Sequence, residues 1–422
     1  MQYSTFAAID IGSYDVILEI FEISKKQGIR SVDKICHRME LGKDTYTLGK
    51  IRPEMEEELC RVLADFVRIM EGYRVDDYRA TASSAISEAS NSLYVLGKIH
   101  QLTGLSVTVL SNSEQRFLSY KALAAMEDNF NKIIEKGTAI LDLDGGSFQI
   151  SLFDKDALVT TQNIRMGSLR IRERLAGIQS ETEHYEEMVE ELIWNEVSSF
   201  KKMYLKDRKI ENIMLIGDVF TDSVYQNIEE KTTKIISREN FNTWYEKIIR
   251  QSPMELAVKL GIPLENASLM YPSAVIYKCL IDMMGAEHIW IPGVHMTRGI
   301  AYEYAEQMKL LKGGHNFEND ILMAAKNIGK RYAVNRPHVQ NLEMTALAMF
   351  DATKKMHGMK ERERLLLQMA VMLHDVGKYI SFNNVADSSY NIIMSNEIIG
   401  LSHIEREMVA LIARYNTVTL PS

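Results

Sequence analysis

Twice in this chain an apolar strand runs into an aspartate and a glycine turn, then returns as a second strand. The first copy reads Phe6-Ala7-Ala8-Ile9-Asp10-Ile11-Gly12-Ser13 and returns over Val16–Phe21. The second reads Ala139-Ile140-Leu141-Asp142-Leu143, turns through Asp144-Gly145-Gly146-Ser147 and returns over Phe148–Phe153. Two hairpins of this kind, with Asp10 and Asp142 in corresponding places, predict a duplicated α/β lobe with a cleft between the copies. Between them Met55, Leu59, Val62, Phe66 and Met70 fall at helical spacing, and Val107–Leu110 reads as a strand leading into a helix near Glu114.

The turns have a chemical use. A phosphate group needs several backbone N–H donors at close range, and glycine removes the side chains that would obstruct that approach. A serine hydroxyl adds a donor, and an aspartate at the strand end suits a divalent cation or its water shell. Taken singly, each turn reads more simply as an ordinary hairpin; it is the repetition that points to a site. The formal net charge of −8 argues against bulk nucleic acid as a partner but not against a phosphate pocket, which local donors create.

Cys36, Cys60 and Cys279 are few, scattered and without a CxxC pair, as expected for reduced thiols. The start MQYSTFAAIDIG has no basic n-region, and no run approaches the ~20 apolar residues of a membrane span, so a cytoplasmic protein with no membrane partner is expected. Lys309 to Gly314 reads as a linker, and residues 318 to 415 alternate helical patterns with polar breaks, which predicts an all-α region.

The motifs, in their order, resemble those of the exopolyphosphatase–guanosine pentaphosphate phosphohydrolase family. Phe6 to Ser13 is similar to its opening phosphate-binding motif, Ala82 to Asn91 to its next motif, and Val109 to Arg116 to its catalytic segment. Asp142 to Ser147 is similar to its second phosphate loop, Arg165 to Ser168 to the following turn, and Arg298-Gly299 to the close of the second lobe. The likeness continues through Met372 to Gly377 and Ile412 to Tyr415.

The resemblance implies a duplicated, two-lobed actin-like (ribonuclease H-like) ATPase fold followed by an all-α HD-like domain. The divisions would be 1–130 for lobe I, 131–307 for lobe II and 308–422 for the helical domain. It implies Mg²⁺-dependent release of terminal phosphate from inorganic polyphosphate or guanosine polyphosphate, and it leaves a homodimer open. Glu114 would be the general base, Asp10 and Asp142 the Mg²⁺ ligands, and Gly12, Ser13, Arg116, Gly145, Gly146 and Ser147 the phosphate contacts. Read without the resemblance, Glu114 is a glutamate at a helix start.

Several positions depart from the family pattern. Tyr14 stands where asparagine is usual, Ser87 for an arginine, Asp144 for a glycine, Gln149 for a glutamate and Phe220 for a glycine. Each is expected to weaken phosphate or metal binding: Ser87 lacks the arginine fork, Asp144 adds negative charge near an intended anion, and Gln149 keeps the glutamate's shape without its charge. These changes favour the alternative of a relative that binds or senses such anions with weakened turnover. The basic set Arg165, Arg170, Arg172, Arg174, Lys201, Lys202, Lys206, Arg208 and Lys209 could guide a polyanion, but reads more simply as solvated helix faces.

His374-Asp375 is similar to the metal-binding pair of HD phosphohydrolases, with His338 as the upstream histidine. Val385, Asp387 and Asn416 stand where relatives often carry histidine, so the simpler expectation is a packing domain with a vestigial site. A metal site there requires His338, His374 and Asp375 to converge. No counterpart of the extra C-terminal domain of longer members is visible before Ser422, which points to shorter substrates or a chain cut short.

Overall fold

A computed structural model describes residues 3–126, 130–155, 157–176, 185–227, 234–311 and 315–416. The chain divides into two compact units, residues 1–156 with 162–314, and residues 157–161 with 315–422.

In the first unit β1 (Ser4–Ile11), β2 (Asp15–Ser24) and β3 (Gly28–Arg38) form an antiparallel meander. β4 (Asp77–Ala82) and β5 (Val107–Val109) continue the sheet parallel to β1, giving the order β3-β2-β1-β4-β5. The second sheet comprises β6 (Thr138–Leu143), β7 (Phe148–Asp154), β8 (Ala157–Ile164), β9 (Asn212–Ile216), β10 (Ile235–Ser237) and β11 (His288–Trp290). Its order is β10-β11-β9-β6-β7-β8. With β10 set aside as an added edge, β8-β7-β6-β9-β11 repeats the order of the first sheet. β6 is antiparallel to β7 and parallel to β9, as β1 is to β2 and β4. This is the duplicated actin-like architecture.

β1 runs apolar from Phe6 to Ile9 because both its faces are covered there. Ala7, Ile9 and Ile11 pack with Leu59, Leu63 and Phe66 of the helix Pro53–Tyr73. Phe6 and Ala8, on the opposite face, pack with Ile300, Ala301 and Tyr304 of the helix Met296–Gln307. The Phe6 and Tyr304 rings stack at 4.1 Å. That last helix therefore returns to the first sheet, crossing the helix Asn112–Met126 so closely that a Cβ at Gly299 would lie 2.0 Å from the Leu118 carbonyl oxygen.

The registers place the two aspartates equivalently. Asp10 lies opposite Ile17 and Thr81 near the end of β1, and Asp142 lies opposite Gln149 and Ile216 near the end of β6.

From residue 315 onward the described residues form helices. The principal ones are Phe317–Arg331, Arg336–Ala352, Glu361–Leu373, Val385–Ser395 and His403–Arg414. Asn316 caps the first through the Asn319 N–H, and Ser402 with Glu405 forms a capping box on the last. In the expected linker, Leu310 and Leu311 pack on the first sheet's core; residues 312–314 lie outside the described residues. No helix among the described residues is long and apolar enough to cross a membrane.

Candidate active site

The glycine turns of the two sheets open onto one cleft of about 440 Å³. Asp10, Gly12, Asp142, Gly145 and Ser147 line it, so the two strand-end carboxylates face the same space. The first turn closes through the Gly12 N–H, which donates to the Asp15 carbonyl at 2.8 Å. In the second, the Asp144 N–H donates to the Ser147 carbonyl at 2.9 Å. The start of the helix Ser168–Leu175 braces this turn, Ser168 N–H donating to the Asp144 carbonyl and Arg170 N–H to the Gly145 carbonyl. The Asp144 carboxylate accepts the Gly145 N–H at 2.6 Å. The aspartate standing where the family has glycine thus engages the N–H of Gly145, one of the expected phosphate contacts.

The cleft is strongly acidic. Asp10, Asp15, Asp142, Asp144, Asp218 and Asp222 line it, against Lys34, Arg38 and His295. Burial pushes the Asp142 carboxyl up to about 6, with the Ser119 hydroxyl and Arg116 pulling the other way. Burial also raises Asp144 to about 6, the Gly145 N–H opposing and Asp142 and Asp15 reinforcing. Asp218 rises to about 7, again chiefly through burial. Asp10 is held well above the carboxylate range by burial and then by the charges of Asp15, Asp144 and Asp142. Its buried Oδ1 has no hydrogen-bond partner among the described residues. A buried oxygen without a donor, among like charges, is a condition that a hard divalent cation relieves. The donor set at Asp10 and Asp142 fits such an ion.

Four expected contacts are placed elsewhere. The Glu114 carboxylate caps its own helix, accepting the Ser111 N–H at 2.9 Å and the Ser111 hydroxyl at 2.8 Å, and does not line the cleft. Its neighbour Gln115 does line it. Arg116 is buried behind Asp142, where its Nε donates to the Gln149 side-chain oxygen. Ser13 is fully buried, and its hydroxyl lies 2.7 Å from Tyr46 Oη, which is 2.8 Å from Ser84 Oγ. Gly146 sits against the same tyrosine, since a Cβ there would lie 2.1 Å from Tyr46 Oη. Tyr46 therefore fills the space between the two turns and keeps Ser13 and Gly146 off the cleft wall.

Ser87 is also off the wall, exposed at the end of the short helix Ser84–Ser87. Tyr14 crosses from the first turn to donate to Asn266 Oδ1 at 2.7 Å. Phe220 is buried against Phe241 and Tyr277, which explains an aromatic where the family has glycine.

Two of the basic residues read as solvated faces instead join the lobes. Arg172 makes paired bonds to Glu40 at 2.8 and 2.9 Å. Arg170 lies 3.9 Å over the Tyr46 ring, donates to the Gly146 carbonyl and pairs with Glu88 at 3.0 Å. Residues with no local motif complete the cleft, Asp15, Lys34, Arg38, Asp222 and His295, together with Asp218 of the loosely matching glycine turn Gly217-Asp218-Val219-Phe220-Thr221. Following the duplication further would have found Asp218, because β9 ends beside β6 as β4 ends beside β1.

In the helical unit, ligand atoms of His338, His374 and Asp375 come within 4.8 Å of one another. His374 Nδ1 donates to the Val371 carbonyl at 2.7 Å, which leaves Nε2, 3.3 Å from Asp375 Oδ1, as the available nitrogen. Lys378 pairs with the other Asp375 oxygen at 2.6 Å, and Asp387 is paired with Arg414.

The chain matches the Ppx/GppA phosphatase family over residues 20–308 and domain III of that family over residues 322–421. It is 21% identical, over 310 residues, to a bifunctional 3-dehydroquinate synthase/phosphatase of Fusobacterium nucleatum. That match covers 67% of this chain but only 44% of the relative, so the chain spans less than half the length of this curated protein. Among solved structures it resembles an exopolyphosphatase from Cytophaga hutchinsonii, with TM-score 0.64, 17% identity, and 72% and 98% of the two chains covered. It also resembles the Aquifex aeolicus member of the Ppx/GppA family, with TM-score 0.60, 17% identity, and 73% and 99% covered. With both lobes and the helical region accounted for, the chain belongs to the Ppx/GppA phosphatase family.

Proposed function

We propose that the cleft hydrolyses the terminal phosphoanhydride of inorganic polyphosphate or a guanosine polyphosphate, with Mg²⁺ held by Asp10 and Asp142. The observation that carries this reading is the convergence of both strand-end carboxylates and both glycine turns on one cleft. When bound, the cation neutralises phosphate charge and polarises the scissile linkage. Lys34 and Arg38 attract and orient the anion, and Ser147 adds a hydroxyl donor. An entering phosphate displaces the Asp144 carboxylate from the Gly145 N–H.

Phosphate release from polyphosphate and from guanosine pentaphosphate, each with Mg²⁺ and with EDTA, tests this. Release from at least one substrate, lost with EDTA, is expected. Binding of both anions without release would support the sensing relative, a reading favoured by the capped Glu114 and the uncharged Gln149.

The convergence of His338, His374 and Asp375 favours a second reading, a metal-dependent phosphohydrolase centred on the helical unit. His374→Ala is expected to weaken Zn²⁺ or Mn²⁺ binding by about tenfold or more, as loss of one of three protein ligands should. Metal titration of wild type and variant reads this directly. Equal affinity would leave the cluster as packing.

A further inference from the structure

The hydrolase reading needs a group that takes a proton from the attacking water, and the carboxylate expected in that role is bound into a helix cap. We propose that His295 is this proton acceptor, oriented by Asp222; the inference rests on the cleft being a phosphohydrolase site. His295 stands at the N-terminus of the helix Met296–Gln307, on the cleft wall. It is the only imidazole among the described residues that line the cleft. Its Nε2 lies 3.4 Å from Asp222 Oδ1, on the helix Val219–Asn227 of the second lobe. Protonation on Nε2, the nitrogen nearer that carboxylate, would leave the lone pair on Nδ1.

The other candidates are less suited. Gln115 is not a base, Lys34 and Arg38 are cations, and Asp10 and Asp142 suit a cation better than a proton relay. Asp144 is engaged by the Gly145 N–H, Asp15 by the Cys36 thiol, and Asp218 by the Thr221 N–H and the Tyr277 hydroxyl. The groups facing His295 are Asp222, Lys34 on β3, and Glu19 and Asp15 on β2. Glu19 is already bound by the Thr297 hydroxyl at 2.5 Å, and Asp15 by the Cys36 thiol. Burial lowers the affinity of His295 for a proton, opposed first by Asp222, so the ring is neutral at the pH where it must act as a base. Asp15 belongs to the first glycine turn, so the ring lies within electrostatic reach of the phosphate-binding turn.

In the step, a water O–H bond breaks and its proton passes to His295 Nδ1 while the oxygen bonds to the terminal phosphorus. The bond from that phosphorus to the bridging oxygen breaks, and its electrons leave with the shortened chain. The imidazolium, stabilised by Asp222, then returns its proton to the leaving oxygen or to solvent. No oxidant or further reactant is required.

The test is Mg²⁺-dependent phosphate release from polyphosphate between pH 5 and 9 for wild type, His295→Gln, His295→Asn, Asp222→Asn and Glu114→Gln. Both His295 variants should lose about 10²-fold or more in kcat with KM nearly unchanged, and should lose the acidic limb of the pH profile. Added imidazole should restore part of the rate. Asp222→Asn should move the limb to lower pH, because the carboxylate that raises the imidazole pKa is gone. A limb that survives in both His295 variants and vanishes in Glu114→Gln would overturn the assignment. A wild type that releases no phosphate from either substrate overturns the hydrolase reading itself, a different failure from an active enzyme indifferent to residue 295.

Discussion

Asp142→Asn is expected to abolish cation-dependent phosphate release, by about 10²–10³-fold, while making the metal-free protein more stable at pH 7.5. The loss follows from removing one of the two cleft carboxylates proposed to hold the cation. The gain follows from the state of that carboxylate before the cation arrives. Its folded value of about 6 lies above the usual 3.8, so the folded chain binds more protons than the unfolded chain between those two values. Stability of the metal-free wild type therefore falls as pH rises through that window, and the full cost is present above it.

Asp144, also raised to about 6, adds a penalty of the same sign, and Asp218 extends the window to about 7. At about 1.4 kcal/mol per unit, the penalty at Asp144 has an upper bound of about 3 kcal/mol. Asp142→Asn and Asp144→Asn should recover similar shares, because both carboxyls are raised to about 6 and each already has stabilising partners, Ser119 and Arg116 for Asp142, the Gly145 N–H and Ser13 for Asp144. Thermal melts in EDTA at pH 5 and pH 7.5 read the effect. Both variants should gain on wild type at pH 7.5 and lose that advantage towards pH 4. Adding Mg²⁺ should stabilise wild type and leave Asp142→Asn almost unmoved. A variant less stable than wild type at pH 7.5 in EDTA would show that the cleft carboxylates are not a destabilising cluster.

The duplicated hairpins were legible in the sequence because strand, aspartate and glycine turn are contiguous, and the duplication then fixed the cleft. The helix Pro53–Tyr73 and the helical character beyond residue 315 were legible for the same local reason. β3 was not, since its residues alternate between partly buried and exposed and carry little apolar signal. What closes the site depends on pairs no local window contains, such as Tyr14 with Asn266 and Arg172 with Glu40. Tyr46 is such a case, a residue of a short helix that ends between two turns far from it in sequence. Glu114 is different, because Ser111-Asn112-Ser113-Glu114 already has the capping-box pattern. That pattern agrees with the helix cap the structure shows, whereas the catalytic role rests on the family likeness.

The second glycine turn offers the other large effect, because its neighbours fix it by backbone contact alone. A Cβ at Gly167 would lie 2.2 Å from the Asp144 carbonyl oxygen and 2.3 Å from the Gly145 carbonyl carbon and oxygen. No side chain can move aside to make room, so the turn itself must shift. Gly167 has φ −82°, so backbone preference has no part in this, and the clash is purely steric. Gly167→Ala should therefore cost about 3 kcal/mol and lower phosphate release by about 10²-fold, as a displacement near 1 Å at a positioning turn would.

Gly146→Ala supplies the contrast. Its Cβ would meet Tyr46 Oη at 2.1 Å and Ser84 Oγ at 2.6 Å, both ends of side chains. Its cost should be smaller, about 1–2 kcal/mol, and Tyr46→Phe should relieve part of it by removing the hydroxyl. No second substitution of a side chain should relieve Gly167→Ala. Denaturation midpoints and phosphate release for the three variants and the Gly146→Ala, Tyr46→Phe double variant decide the matter. Equal costs at the two glycines, or a Gly167→Ala protein as active as wild type, would mean that the second turn yields freely and that its contacts with the helix Ser168–Leu175 do not hold it in place.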